Sequence, residues 1–338
     1  MARSKSPVTT PSLLVNETDA AASEGEQDVT VLPATRQAKG NRVRGGATAS
    51  LQWAKEKASE ALARRQDAQE ALVLQQVLPL WTDEHRGVPN PMIRSGLFGT
   101  KVSGNRLYLK GEAIASLSNF NIVYKGEELR QDDLSVWLAL MNMAARQRFG
   151  DAIYFSGYEL IKDLGWRMHS ESYNRAKESI SRLKANELKI QVKSGDSGYA
   201  GSLIREYAWS AMSPEGGEKW MVCFEPMIAA LFREDSVTFL AWEQRRQIGP
   251  RASLTLWLHS YFTSHREPFP ITIQKLHELC KSDEKELRFF KRRVKASLER
   301  LVEIKFLTSF EIVGETVHVK KAPVRLPNLK PAATTRLS

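Results

Sequence analysis

Cysteine is nearly absent: Cys223 and Cys280 are the only two in 338 residues, far apart and each among apolar neighbours. That excludes a disulfide framework and a four-ligand zinc site built on cysteines, and it predicts buried free thiols. The six histidines are scattered, and no H-E-x-x-H pair sets two of them on one helix face to hold a metal. No G-x-x-x-x-G-K followed by Ser or Thr occurs, so the backbone cradle for nucleotide phosphates is missing and ATP hydrolysis is not expected. Apolar runs are short: none approaches the roughly 20 residues that cross a bilayer. The opening M-A-R-S-K-S-P also lacks the apolar centre of a secretion signal. The chain therefore reads as a cytoplasmic protein without a cofactor and with no membrane to cross.

What is present is positive charge and enough apolar residue for packed cores. Hydrophobic residues make up 42% of the chain, and its length gives room for two domains. A formal net charge of +10 and a pI near 9.5 favour a polyanionic partner, which is nucleic acid, an anionic membrane surface or an acidic protein. Charge alone does not choose among these.

Residues 1–50 are rich in Ala, Ser, Thr and Gly without a period that could bury a face, which predicts a disordered arm. From Leu51 to Gln76 the composition turns to Ala, Glu, Lys, Arg and Gln, which favours a helix that Pro79 ends. V-P-N-P, from Val88 to Pro91, reads as a linker, so residues 51–92 form a helical segment leading into the folded part.

Beyond it the chain echoes itself. L-S-V-W-L-A-L-M from Leu134 aligns with L-T-L-W-L-H-S-Y from Leu254, matching Trp137 to Trp257. I-Y-F-S-G-Y-E-L-I-K-D-L aligns with F-P-I-T-I-Q-K-L-H-E-L-C, in which Ser156 and Thr272 follow a short β-like piece as candidate N-caps. I-S-R-L-K-A-N-E-L-K-I from Ile180 aligns with L-E-R-L-V-E-I-K-F-L-T from Leu298. Two β-like runs close each copy: L-K-I-Q-V-K with S-L-I-R-E-Y-A-W, and F-L-T-S-F-E-I-V with E-T-V-H-V-K-K. The order is helix, short strand, helix, helix, hairpin, which is that of the winged helix, a variant of the helix-turn-helix. The expected fold class is α+β: a winged-helix domain over 93–235, a second over 236–325, and a flexible tail over 326–338.

The third helix of such a domain is the one that enters the major groove. In the second copy it is E-L-R-F-F-K-R-R-V-K-A-S-L-E-R-L, whose stripe of Leu287, Phe290, Val294, Leu298 and Leu301 is suited to a core. Lys285, Arg288, Lys291, Arg292 and Lys295 are then its DNA-contacting candidates, Arg for guanine and Lys for phosphate. A merely solvated charged face is the competing reading. In the first copy the stripe is Tyr173, Ala176, Ile180 and Leu183, which turns Asn174, Glu178, Ser181 and Arg182 outward, with Arg175 and Lys177 on the flanks. Asn174, Arg175, Lys177 and Arg182 are the DNA-contacting candidates here, Asn for adenine and Arg for guanine. Glu178 repels phosphate, so it either accepts from a cytosine amino group or marks a helix that is not deeply inserted.

R-S-G-L-F, Y-K-G-E-E-L-R-Q-D-D, F-S-G-Y-E-L-I-K-D-L-G-W, Y-N-R-A-K-E-S-I-S-R-L and F-T-S-H-R-E-P-F-P, spread in order from about Arg94 to Lys321, carry a further signal. Through them the chain resembles the TrfA-type replication initiators of broad-host-range plasmids. The resemblance implies binding of direct repeats (iterons) in double-stranded origin DNA and opening of the adjacent A+T-rich DNA, with single strands as a further ligand. It also implies recruitment of the host initiator, replicative helicase and sliding clamp, and an exchange between monomer and homodimer. Q-Q-V-L-P-L, from Gln75 to Leu80, is similar to the Q-x-x-L-x-L pattern of bacterial clamp-binding peptides. Gln75, Leu78 and Leu80 would then be the anchors of a flexible peptide. Its second position is Gln76 where Leu is usual.

Enzyme readings are weaker. G-D-S-G, Gly195 to Gly198, matches the protease nucleophile tetrapeptide but lies where the first hairpin should turn. Asp132 and Asp133 invite a metal-dependent nuclease reading, yet they stand where a long helix should begin, and acids there are favoured by the helix dipole. No enzymatic activity is expected. A dimeric repressor that only blocks transcription would use the same folds and is the alternative function.

Overall fold

The computed structural model describes residues 57, 59, 60, 78, 82–102, 104–117, 120–192, 198–210, 218–232 and 236–323. The chain divides into two units, Met1–Glu60 and Ala61–Ser338. In the first, Lys57, Ser59 and Glu60 are helical, with a 2.9 Å ion pair between Lys57 and Glu60. The rest of the helix expected over Leu51–Gln76, the arm over 1–50 and the tail over 326–338 lie outside the described residues, as do Gly195, Asp196 and Ser197.

Everything that follows belongs to the second unit, a mixed α/β arrangement. Strand β1 (His85–Pro89) pairs antiparallel with β11 (Val237–Ala241), setting Val88 opposite Thr238, and runs into the short helix α1 (Asn90–Ile93). V-P-N-P is therefore not a linker: Val88 and Met92 are fully buried. Pro91 is tolerated because the first turn of a helix leaves its N–H groups unpaired anyway. Pairing with a strand so distant in sequence is what local composition could not show.

Strands β2 (Phe98–Gly99) and β5 (Leu129–Arg130) form a short parallel pair, and β3 (Tyr108–Ile114) and β4 (Phe120–Glu127) an antiparallel one. Helix α2 (Gln131–Ala144) follows and is buried on nearly every side, with Trp137, Leu138 and Leu140 at zero exposure. Its start is fixed by Asp133, which accepts from the Arg130 backbone N–H at 2.8 Å. Strand β6 (Ile153–Ser156) leads into α3 (Gly157–Leu164) through a reciprocal cap: Glu159 N donates to Ser156 Oγ at 3.2 Å and Ser156 N to Glu159 Oε2 at 2.7 Å. Gly165, at φ 67°, ends α3 in a left-handed turn, and α4 (Ser170–Lys184) follows.

After α4 the hairpin differs from the expected one. Strand β7 (Glu187–Val192) does not pair with the run ending in Y-A-W; it adds to β4 and to β8 (Gly198–Gly201), giving a four-stranded sheet in the order β3, β4, β7, β8. Leu188 and Ile190 face Tyr124 and Ile122, apolar partners that precede the repeat and so have no echo in the second copy. The last residue of G-D-S-G, Gly198, accordingly opens β8. Strand β9 (Glu206–Ser210) instead pairs with β10 (Lys219–Cys223), which pairs with β6.

The other copy is simpler. Helices α5 (Trp242–Ile248) and α6 (Ser253–Thr263) lead to β12 (Ile271–Thr272) and α7 (Ile273–Leu279), where Thr272 Oγ1 accepts from Lys275 N at 3.2 Å. Then come α8 (Leu287–Glu303), β13 (Leu307–Val313) and β14 (Thr316–Lys321). The sheet order β12, β14, β13 repeats the order β6, β10, β9. Two cores result, one around Trp137, Ile161, Ile180 and Trp220, the other around Leu258, Leu276, Phe290 and Leu298. The border lies within α5, since Trp242 joins the first core and Ile248 the second. Residues 237–241, assigned above to the second domain, belong with the first because β11 completes the pair with β1.

The seam between the cores is polar at its centre. Arg245 of α5 is fully buried and donates to Ser135 Oγ (3.2 Å) and Gln131 Oε1 (3.2 Å) on α2, and to Ser260 Oγ (3.0 Å) on α6. These acceptors are neutral, and burial pushes the guanidinium down to about 9. Beside it, Trp257 Nε1 donates to Ser95 O at 3.2 Å and Arg94 Nε to Ser264 Oγ at 2.9 Å.

Candidate nucleic-acid interface

Helix α8 separates an apolar stripe from a cationic face. Phe290, Val294, Leu298 and Leu301 are fully buried against the second core, each stabilising it by roughly 1.5–3 kcal/mol. Leu287, expected on that stripe, is 40% exposed because it stands at the first turn, beyond the edge of the core. On the opposite side the Arg288 side chain is 73% exposed and that of Lys295 63%. The Phe289 ring lies under both guanidiniums, 4.7 Å from Arg288 and 4.6 Å from Arg292, and so holds the two cations side by side. Lys285 is exposed just before the helix. Lys291 is committed differently: its Nζ donates to Gly314 O at 2.6 Å and meets Glu315 Oε1 at 2.7 Å, which ties α8 to the β13–β14 turn. Between helix and hairpin runs a groove of about 750 Å³, with Arg288, Arg292 and Lys295 on one wall and Phe310 and Ile312 on the other. Acids are near: Glu286 pairs with Arg288 at 2.5 Å, Glu299 with Lys295 at 3.9 Å, and Glu311 lines the groove.

Helix α4 is built otherwise. Asn174, Glu178 and Ser181 are exposed as expected, but Arg182 is not. It is buried, donating from Nε (3.1 Å) and Nη2 (3.0 Å) to Asp133 Oδ1. Arg106 donates to Asp133 Oδ2 at 2.6 Å, Ser179 Oγ to Oδ1 at 2.7 Å, and Arg175 Nε to Asp132 Oδ2 at 3.2 Å. The two acids at the start of α2 thus gather three arginines. Burial pushes the Asp132 carboxyl up, and the guanidiniums of Arg106 and Arg175 outweigh it, leaving the group below the ordinary carboxylate range. Arg175 also stacks on Trp166 at 4.5 Å. Lys177 meets Glu218 at 2.7 Å, over the Trp220 ring. The expected outward place of Arg182 is therefore corrected; a helical wheel shows which residue leaves the core, and the acid pair at Asp132 and Asp133 was the signal that a buried cation must answer it.

Between α4 and β9 lies a second groove, of about 870 Å³. Its wall contains an aromatic group that the sequence reading missed: Trp209, 61% exposed, with Tyr207 at 5.3 Å between ring centroids, and Tyr108. The alternation in E-Y-A-W-S carried the signal, but the strand had been assigned to a different partner.

The model of the family described as TrfA protein matches residues 41–321. The chain belongs to the TrfA protein family. It is 30% identical over 247 residues to the plasmid replication initiator protein TrfA of Escherichia coli, a match covering 71% of this chain and 63% of that protein. The chain thus spans less than two thirds of that relative's length. Two crystal structures of domains 2 and 3 of RctB are similar at 15% and 13% identity, with TM-scores of 0.46 and 0.45. They cover 67% and 66% of this chain and 95% and 94% of theirs. The family match takes in both α4 and α8, and also Q-Q-V-L-P-L. Of that peptide, Gln75 and Leu80 lie outside the described residues, while Leu78 is buried in the first core. A clamp could use Leu78 only after it leaves that core. No helix among the described residues is long and apolar enough to cross a membrane.

Proposed function

We propose that the chain is a plasmid replication initiator whose two repeated modules are winged helices that dock on the direct repeats of an origin, with α8 as the main duplex-reading helix. The observation that carries this is the cationic face of α8: Arg288, Arg292 and Lys295 project beside a hairpin while the opposite stripe fills a core. Arg288 and Arg292 suit bidentate contact with guanine, Lys285 and Lys295 phosphate. The matching sheet orders β12, β14, β13 and β6, β10, β9 support the shared module. The family supports the biological role. In this reading α4 contributes through Asn174 and the flanks of Arg175 and Lys177, and lies less deeply than α8. Opening of adjacent A+T-rich DNA draws on binding energy and DNA distortion rather than on catalysis, and host helicase and clamp are recruited afterwards.

Fluorescence anisotropy on origin direct repeats and on scrambled duplex, at two salt concentrations, tests it. A preference for repeats that survives the higher salt is the expected result. Equal affinity for both duplexes, collapsing with salt, would leave only phosphate contact.

A further inference from the structure

A second cationic feature lies away from both grooves, where the two modules meet. The turn between α3 and α4 and the turn between α5 and α6 face each other across a notch of about 660 Å³. Arg167 enters from the first turn and Arg251 from the second; both are exposed, and neither forms an ion pair with a described residue. Arg175, stacked on Trp166, closes the inner wall. Arg246 lies against Gly165, where a Cβ would meet its Nε at 2.8 Å. His169 adds an imidazole and Glu171 one acid, and Glu243 pairs with Arg246 at 3.3 Å. The balance is cationic.

Two facts make this a prepared surface rather than a chance run of charge. The two turns are far apart in sequence, yet Arg246 of α5 packs on Gly165 of the first turn, and its neighbour Arg245 is held by α2 and α6 from within the seam. The notch also borders the start of α4, which supplies exposed Glu171, buried Ser172 and half-buried Arg175 to its wall, and the last turn of α8 reaches the adjoining helix α5, where Arg300 Nη2 donates to Gln247 O at 3.1 Å. An anionic strand passing from one reading helix to the other would cross it.

We propose that this notch is a phosphate-binding site for the duplex backbone, in which Arg167 and Arg251 hold phosphates between the two modules. This rests on the duplex-binding reading given above. Phosphate contacts position a protein without reading sequence, so the notch holds the two helices in register on one duplex while α8 supplies discrimination.

The test measures binding of the full chain carrying Arg167→Ala and Arg251→Ala to direct-repeat and scrambled duplexes over a salt series, beside an Arg292→Ala variant. Affinity is expected to fall about tenfold on both duplexes, with the slope of log K against log salt shallower by about 2, roughly one per lost phosphate contact. Arg167→Lys with Arg251→Lys should restore most of the slope, because Lys holds phosphate as a point charge. Wild-type affinity and slope in the double Ala variant, with Arg292→Ala weakened, would overturn the notch and leave the α8 reading standing. Unchanged binding in all variants would overturn both.

Discussion

Helices α4 and α8 each lie between the first strand and the closing pair of strands of sheets of matching order, yet they treat their cations differently. In α4, Arg175, Lys177 and Arg182 answer Asp132, Glu218 and Asp133, acids supplied by the same half of the chain. In α8, Arg288 and Arg292 share the ring of Phe289 and stay exposed, the acids beside this face, Glu286 at Arg288 and Glu299 near Lys295, are themselves exposed, and among the five basic candidates Lys291 alone anchors the hairpin. The lesson is that charge count along a helix does not measure its capacity for a polyanion; what matters is how many of those charges the fold has already neutralised.

The sharpest way to break that contrast is to free the buried arginines. Asp133→Ala leaves Arg106 and Arg182 without their shared carboxylate in a dry site, and should destabilise the protein by about 3–5 kcal/mol. Urea unfolding of the second unit reads this directly; a loss below about 1 kcal/mol would mean that the cluster is hydrated and its cations available. Next comes Arg292→Ala, which should weaken repeat binding by about 1–3 kcal/mol in an anisotropy titration while leaving the unfolding midpoint in place.

The second core carries its own pH signature. His259 is fully buried, packs against Phe306 at 4.7 Å, and is pushed down to about 3 by burial and by Arg245. Once unfolded it recovers an ordinary value near 6.5, so between about pH 6.5 and 3 the unfolded chain binds a proton that the folded chain does not. Its contribution is therefore intact above pH 6.5 and is lost as pH falls, by up to about 1.4 kcal/mol per pH unit. His259→Phe should flatten the stability profile between pH 6.5 and 5; an unchanged slope would contradict the neutral, buried histidine. The smallest effect is expected from Glu178→Lys, which adds an unpaired cation to α4 and should raise affinity for scrambled duplex by a few-fold at low salt, steepening the salt dependence by about 1.

Much of this arrangement is legible locally. Ser156 and Thr272 announce their helices because a cap depends on the next three residues, and the stripe of α8 follows from spacing alone. What stayed hidden depends on distant partners. Strand β7 is drawn to β4, β1 is recruited by β11, and Arg182 turns inward to a carboxylate 49 residues away. Exposed Trp209 was obscured for the same reason, since its groove exists only once β9 is paired with β10.

In the proposed function the face of α8 holds the duplex through cations that the fold leaves exposed, where α4 buries or ties its own. This is tested most directly by the salt dependence of repeat binding in an Arg288→Ala, Arg292→Ala variant set against an Arg175→Ala, Lys177→Ala variant. The expected slope is shallower by about 2 for the α8 pair and by less than about 1 for the α4 pair. Equal losses, or a larger loss in α4, would contradict it.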